Sequence, residues 1–550
     1  MGYAHEYAAA IMHRGRVPME PASFVPDWAD RPRKAKYYPG VETLPLPEST
    51  YPDDATVGVG CLPGSGASNQ THSGGTVGTS VAAHFTLPVL SGMLQDSYGL
   101  SGRRLGVQAN TDLAALPHYT HANWSRGTAS GGGLYPVSVY WLAGASGPLV
   151  PGVYYYSPLQ HSLQRLLVGD VTGEVAAALG ETSRTDRGDG PLVCDQYLVL
   201  GVKYWQNSFK YNSFSFHAVS MDVGALLQTW RIWAGARGME LAPALWFNEQ
   251  RLSELLGVNA QEEGLFAVVP LRWATQPCTA SDGLVRETRP QVRLKDQERS
   301  RTVINFDTLQ RIHHATAACT ADQPGPRALD TCVPHPLPAA LDTIDLPAAT
   351  MPAVSVRTAL RTRRSSFGRF DASVPMTANQ LATALAACAA TRLGGEAEPD
   401  TAPGLSRLYA FVNHVTGVEA GVYAYEPQTH TLRLVSSEAP GSFLQQNYFL
   451  SNYNLEQAGV VVVPTLRTTA VLGAVGDRGY RLVNATVGAI AQTLYTTAAA
   501  LDLGAGVALG FDNISFIEKL GLDGTDEAPL LIMLLGNERP RPADFLSEIA

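Results

Sequence analysis

Two stretches of the chain are apolar on nearly every face of a helical projection. They run over about His217–Arg237 and Tyr480–Leu503, and each carries a glycine, Gly224 or Gly488. A helix without a polar face is a buried helix, often one at a subunit or domain interface. Elsewhere the pattern shifts to short β-rich runs. Gly152-Val153-Tyr154-Tyr155-Tyr156-Ser157-Pro158, followed by His161 and Leu163, recurs as Gly421-Val422-Tyr423-Ala424-Tyr425-Glu426-Pro427, followed by His430 and Leu432. Both read GVYxYxPxxHxL and predict a strand, a turn at the proline and a second strand.

A second pair of blocks follows in the same order. Gly224 leads in 23 residues to Phe247-Asn248 and in ten more to Gly257; Gly488 leads by the same steps to Phe511-Asp512 and Gly521. Matched blocks at matched spacing mark an internal repeat. The fold class they predict is α+β: two tandem copies of one domain, each an antiparallel-rich sheet flanked by helices, packed as an internal pseudo-dimer. Two copies strung side by side would leave the apolar helices without a partner. Proline-rich stretches place the boundaries. An irregular arm covers residues 1–85, with Gly58–Thr79 nearly all Gly, Ser, Thr and Val. The first domain covers 86–321, a semi-extended linker 322–352, and the second domain 353–550.

Composition narrows the class. The 550 residues are 45% hydrophobic and 16% charged, an ordinary globular balance that excludes a disordered chain. Net charge is −9, so no domain-wide basic field exists to collect nucleic-acid phosphates. No apolar run reaches the ~18 residues of a membrane span. The start, Met1-Gly2-Tyr3-Ala4-His5-Glu6, lacks a secretory pattern, which points to a cytoplasmic protein. Cys61, Cys194, Cys278, Cys319, Cys332 and Cys388 form no CxxC and no zinc-finger spacing, so no metal site is expected. His313-His314 has no third ligand nearby, Asn69-Gln70-Thr71 and Asn123-Trp124-Ser125 match glycosylation acceptors without a secretion signal, and Gly58-Val59-Gly60 lacks the helix of a phosphate loop.

Three segments carry candidate chemistry. Arg361-Thr362-Arg363-Arg364-Ser365-Ser366-Phe367-Gly368-Arg369-Phe370 sets four guanidinium groups beside hydroxyls, a composition that suits a phosphate and equally a charged helix end. Thr128-Ala129-Ser130-Gly131-Gly132-Gly133-Leu134-Tyr135-Pro136 lets backbone approach a flat ligand, or forms a tight turn before a strand. Lys210-Tyr211 pairs a proton acceptor with a cation that favours its ionised form, or is a plain surface pair.

Together these segments resemble one family. Ser130-Gly131-Gly132-Gly133-Leu134-Tyr135-Pro136 is similar to the (P/A)SxGGLYP motif of SagB-type dehydrogenases, azoline oxidases of the FMN-dependent nitroreductase-like superfamily. The microcin thiazole/oxazole synthase oxidase is a relative. Arg363-Arg364-Ser365 resembles the superfamily's RRS phosphate motif. Lys210-Tyr211, leading to Asp222-Val223-Gly224, resembles the KYxxRxYRxxxxDAG segment whose Lys-Tyr pair is linked to substrate oxidation. Asp27-Trp28, Pro32, Lys36-Tyr37-Tyr38-Pro39 and Leu44-Pro45-Leu46-Pro47 resemble the family's opening arm.

The departures are complementary. Phe367 stands where a further basic residue is common after RRS, with Arg369 as the available substitute. Phe214 and His217 stand at the later arginine positions of the Lys-Tyr segment. The first domain has the glycine loop and Lys-Tyr but nothing basic between Tyr37 and Gly102. The second has RRS, but Gly404-Leu405-Ser406-Arg407-Leu408-Tyr409 and Ala474-Val475 at the other two places. The superfamily binds FMN at a dimer interface, so the resemblance implies one composite site and one FMN per chain. The second domain would supply Arg361, Arg363, Arg364, Ser365 and the Gly510-Phe511 turn, with Arg539 or Arg541 on the phosphate. The first would supply Ala129, Ser130, Gly131, Gly132 and Gly133. The implied reaction oxidises a peptide thiazoline or oxazoline to an azole. Tyr211 is the base, Lys210 the stabilising cation, the flavin takes hydride, and dioxygen reoxidises it. The implied partners are an azoline peptide, free or carrier-bound, and a cyclodehydratase or synthetase; association beyond the internal pair is also open. The alternatives are an NAD(P)H-dependent nitro or quinone reductase and a non-catalytic docking subunit.

Overall fold

The computed structural model describes residues 2–48, 55–62, 84–108, 118–180, 194–275, 289–338, 342–393, 404–540 and 544–548. At its centre two helices, Ser215–Gly235 and Gly479–Ala500, cross with almost every side chain buried. The crossing is glycine against backbone. A Cβ on Gly224 would lie 1.8 Å from Ala485 O, and one on Gly488 would lie 2.0 Å from Met221 O. Each glycine therefore seats on the residue three before its counterpart, a reciprocal contact of the kind a two-fold axis produces.

A sheet flanks the crossing on either side. The first runs in the order Thr43–Pro45, Ser162–Val168, Gly152–Ser157, Val137–Ala143, Gln196–Lys203, Glu263–Pro270. The second runs Thr343–Asp345, Thr431–Ser436, Gly421–Glu426, Ser406–Val412, Val460–Arg467, Ile532–Gly536, Gly504–Ala508. All neighbours within both sheets are antiparallel. Where the second sheet has Gly504–Ala508, the first has, among the described residues, an isolated bridge from Ala244 to Val268. Both faces of each sheet are covered, which is why the strands read as continuous apolar runs. Val139 and Trp141 join the core around the central helices, whereas Tyr140 and Leu142 pack under the outer helices Thr172–Leu179 and Glu249–Leu256. Val460 and Val462 likewise face the centre, and Val461 and Val463 the outer helix Asn513–Leu520.

The repeated motifs fold alike. In each hairpin the histidine takes a left-handed turn position, with φ 46° at His161 and 54° at His430. The preceding tyrosine holds its Nδ1: Tyr156 at 3.0 Å and Tyr425 at 2.7 Å. The histidine carbonyl accepts from the edge segment in both, Leu46 N and Leu346 N each at 3.2 Å. The ten-residue Phe-to-Gly spacing is a two-turn helix. Asn248 or Asp512 caps its start, and a left-handed glycine, Gly257 or Gly521, ends it.

The arm holds more structure than its prolines predict. Tyr3–His13 is a helix that buries Ala4, Tyr7 and Ile11. Val57–Cys61 wedges against the first central helix, where a Cβ on Gly60 would lie 2.7 Å from Ile232 O. Thr43–Pro45 is the edge of the first sheet, and Thr343–Asp345, inside the expected linker, is the edge of the second. Three-residue edge strands beside prolines leave no readable periodicity, and pairing alone defines them. The C-terminal strand Asp544–Glu548 pairs with Gly102–Gln108, so the end of the chain is woven into the first half. Most of the Gly-Ser-Thr stretch, residues 63–83, lies outside the described residues. Among those described, no helix is long and apolar enough to cross a membrane.

Gly224→Ala and Gly488→Ala should each destabilise the protein by roughly 3 kcal/mol or more, because backbone cannot yield to a methyl at these distances. Gly235→Ala, at a helix end with open space around its Cβ position, should move stability by less than about 1 kcal/mol. Urea unfolding midpoints check both.

Candidate active site

The glycine loop of the first half is held by both central helices. Gly132 and Gly133 take φ 63°, a conformation that glycine adopts without strain. Asp222, two turns into the first central helix, accepts from Ser130 Oγ at 2.7 Å and from Gly131 N at 2.8 Å. Ser130 Oγ in turn accepts from Tyr135 N at 2.9 Å. Gln492, on the second central helix, accepts from Ala129 N at 2.9 Å. Burial pushes the Asp222 carboxyl up to about 7, against the opposing pull of the two hydrogen bonds it accepts.

Lys210 and Tyr211 close the helix Trp205–Tyr211, which Asn212 ends at φ 43°. Both side chains converge on the loop. A Cβ on Gly132 would lie 2.6 Å from Tyr211 Oη and 2.8 Å from Lys210 Nζ. Lys210 Nζ is 4.6 Å from the Tyr211 ring centroid and 5.9 Å from that of Trp28, a half-exposed residue of the arm. Burial holds the nearby Lys34 ammonium below its ordinary value, and the charges of Arg126, Arg31 and Lys210 add to the effect. This flank of the loop is cationic.

The arginine segment follows the helix Val356–Thr362 of the second half. Arg363, Arg364, Arg369 and Arg539 line a cavity of about 310 Å³ whose acidic lining residues are Asp502 and Glu538. Arg364 pairs with Glu538. Arg369 donates to Arg539 O at 2.9 Å, and Arg539 to Gly368 O at 3.2 Å. Ser365 Oγ shares a 2.7 Å hydrogen bond with Tyr495 Oη. The cavity connects to the glycine loop: Arg363 donates from Nε to Gly127 O at 2.8 Å and from Nη2 to Arg126 O at 3.0 Å. Gln492 and Tyr495, three apart on one helix face, reach the loop and the arginine segment respectively.

The structure thus groups Ala129–Gly133, Lys210 and Tyr211 in the first half and Arg363, Arg364 and Arg539 around the cavity of the second, and Arg363 links the two groups; Ser365 reaches the cavity through Tyr495 and does not itself line it. Arg361 sits on the preceding helical turn and is not among the cavity-lining residues. Gly510 lies past the strand Gly504–Ala508, against Leu450, and does not line the cavity either. Arg541 lies outside the described residues. Sequence reasoning gave no role to Gln492, Tyr495, Arg126 or Glu538, and cited Asp222 only within a motif. For Gln492 and Tyr495 the available signal was a buried helix that carries polar side chains, each of which has to find a partner; Arg126 and Glu538 lie outside the helices and gave no such signal.

Residues 360–537 match the nitroreductase family. A Methanocaldococcus jannaschii protein assigned to the nitroreductases is 35% identical over 142 residues, 24% of this chain. The chain spans 64% of that relative's length. A crystal structure from Anabaena variabilis, also assigned to the nitroreductases, overlays 98% of this chain and 100% of its own, with a TM-score of 0.68 at 22% identity. The fold is therefore nitroreductase-like. A chain of the Escherichia coli microcin synthetase complex, solved with a truncated pro-microcin bound, covers 32% of this chain and 70% of its own, with a TM-score of 0.28 at 16% identity.

The raised Asp222 carboxyl has a stability consequence. Between its ordinary value of 3.8 and about 7 the folded state holds a proton that the unfolded state has released. The contribution of Asp222 to stability therefore falls as pH rises through that window, by on the order of 1 kcal/mol per pH unit. Asp222→Asn should remove that contribution, and the difference between its urea unfolding midpoints and those of the unaltered protein from pH 4 to 7.5 checks it, because the opposite contribution of His161, His217 and His313, held below their ordinary value by burial, is common to both.

Proposed function

We propose that the chain is an FMN-dependent oxidase of peptide azolines, with one composite site formed by two paired nitroreductase-like halves. The observation that carries this reading is the convergence of Lys210 Nζ and Tyr211 Oη on Gly132, in a loop that Arg363 ties to the arginine cavity. The cavity fits the phosphate end of FMN. Four guanidinium groups against two carboxylates leave a surplus of positive charge for a dianion, and guanidinium geometry matches phosphate oxygens. Ala129–Gly133, free of bulky side chains, would lie against the flat ring system. When bound, FMN supplies the two-electron acceptor.

The protein's own part is orientation and proton transfer. Oxidation of an azoline to an azole removes two electrons and two protons, and dioxygen finally takes the electrons as hydrogen peroxide. Tyr211 accepts the proton from the ring's α-carbon, and Lys210, against the same ring, stabilises the phenolate that receives it. Asp222 and Gln492 hold the loop from opposite helices, so the position of Gly132 relative to Tyr211 is set by the central crossing.

A second reading is NAD(P)H-dependent reduction of nitro or quinone substrates, favoured by the family match at 360–537. Visible absorption and released-flavin quantitation decide first. The expected result is a yellow protein with one FMN per chain, lost in Arg363→Ala/Arg364→Ala. Two FMN per chain would refute the composite site, and a colourless protein that cannot be reconstituted would refute the flavin reading. Tyr211→Phe should lower azole formation about 100- to 10,000-fold while FMN stays bound. Consumption of NADPH with no azole formed would establish the second reading instead.

A further inference from the structure

Phe214 and Arg478 hold matched places in the repeat, each ten residues before the glycine of its central helix. Arg478 makes a defined set of contacts in the first half. Its Nε donates to Leu245 O at 2.6 Å, its Nη1 donates to Glu249 Oε2 at 2.9 Å, and its guanidinium lies 4.8 Å from the Phe247 ring centroid. These contacts fix the segment that enters the capped helix Glu249–Leu256. The matched segment of the second half is Leu509–Asn513, and Phe214 offers it no donor.

Arg14 does. Standing at the end of the helix Tyr3–His13, it donates from Nη2 to Leu509 O and from Nη1 to Asn513 Oδ1 at 2.8 Å. Its guanidinium lies 6.0 Å from the Phe511 ring centroid and 5.0 Å from that of Phe214 itself. Leu509, Phe511 and Asn513 are the counterparts of Leu245, Phe247 and Glu249, so each of these three Arg478 contacts has its match. The exchange of Glu249 for Asn513 is part of the same adjustment. Glu249 Oε1 accepts from Leu265 N at 2.9 Å. The matched residue is Pro529, which has no N–H, and Asn513 Nδ2 instead donates to Pro529 O at 2.7 Å.

We infer that Arg14 is a positioning residue: a guanidinium supplied from outside the repeat, seated on Phe214, that fixes the Leu509–Asn513 turn in the manner of Arg478 in the other half. The N-terminal helix is then a part of the contact between the halves. Two further contacts dock it there, Tyr7 Oη to Ser213 O at 2.7 Å and Arg16 to Asp512 at 3.2 Å. The turn contains Gly510, and the Phe214 ring lies 6.2 Å from that of Tyr211. Arg14 thereby links the Leu509–Asn513 turn of the second half to Phe214, beside Tyr211, of the first. Its bearing on catalysis rests on the flavin reading above, whereas its structural role does not.

Amide hydrogen exchange on the full chain without added flavin tests the role. Asp512 N, bonded to Asn447 O, and Phe449 N, bonded to Gly510 O, report on the turn; Asn248 N, bonded to Ala178 O, reports on the matched segment. Arg14→Ala should speed exchange at the first two by roughly tenfold or more and leave Asn248 unchanged, the local effect of losing charge-assisted hydrogen bonds. Tyr7→Phe, which loosens the helix but keeps the guanidinium, should leave the turn protected. Protection should return when the guanidinium does, through Phe214→Arg in the Arg14→Ala background or through added methylguanidinium. Unchanged exchange in Arg14→Ala, or rescue by neither route, would overturn the inference. A colourless protein would sink the flavin reading and leave this result standing.

Discussion

The rest of the molecule depends on the contact between two glycines and two backbone carbonyls. Gly224 on Ala485 O and Gly488 on Met221 O bring the central helices together with no side chain between them. At that separation the polar groups on both helices are in reach of the other half. His217 Nδ1 meets Tyr480 Oη at 2.8 Å, and Gln228 donates to Thr493 Oγ1 at 3.0 Å. Asp222 and Gln492 reach the same loop from opposite sides. A methyl at either glycine would separate these partners as well as the helices, because a packed core transmits displacement.

Around this symmetric crossing the two halves have become unlike each other, and the differences are mutually compensating. Arg478 and Arg481 of the second half enter the first and share Glu249, at 2.9 and 2.8 Å. Burial alone would raise that carboxyl; Arg481 and Arg478 more than reverse it and hold it down at about 2. A buried ion cluster of this kind gives little net stability over an apolar core, but any other pairing of the halves would strand its charges. Among the described residues the reverse interface has no such cluster, and the arm supplies Arg14 in its place. The candidate chemistry follows the same division. The glycine loop and Lys210-Tyr211 come from one half and the arginine cavity from the other, joined through Arg363.

Much of the frame was legible in the chain. The hairpins appeared because a proline turn and a tyrosine–histidine spacing recur with the same local geometry. The ten-residue Phe-to-Gly spacing was legible as part of the repeat, but the helix within it, with its Asn or Asp cap and left-handed glycine, was read only from the structure. The arm helix was not legible: its stabilising contacts, Tyr7 on Ser213 and Arg14 on Leu509 and Asn513, lie hundreds of residues away. The edge strands Thr43–Pro45 and Thr343–Asp345 were not legible either, since three residues beside a proline have no period and exist only by pairing.

The sequence by itself determined the repeat, the burial of both long helices, the proline-turn hairpins and the types of side chain available for chemistry. These follow from local dihedral preferences and from the periodicity of apolar residues, and each is written within a few turns of chain. The tertiary structure decided which groups meet. It set Tyr211 and Lys210 on Gly132, carried Arg363 of one half to Gly127 of the other, and placed Arg14 where the repeat has Phe214. Those encounters depend on distances between segments far apart in the chain. Only the closed packing of the two helices fixes such distances, and no local rule of composition or spacing contains them.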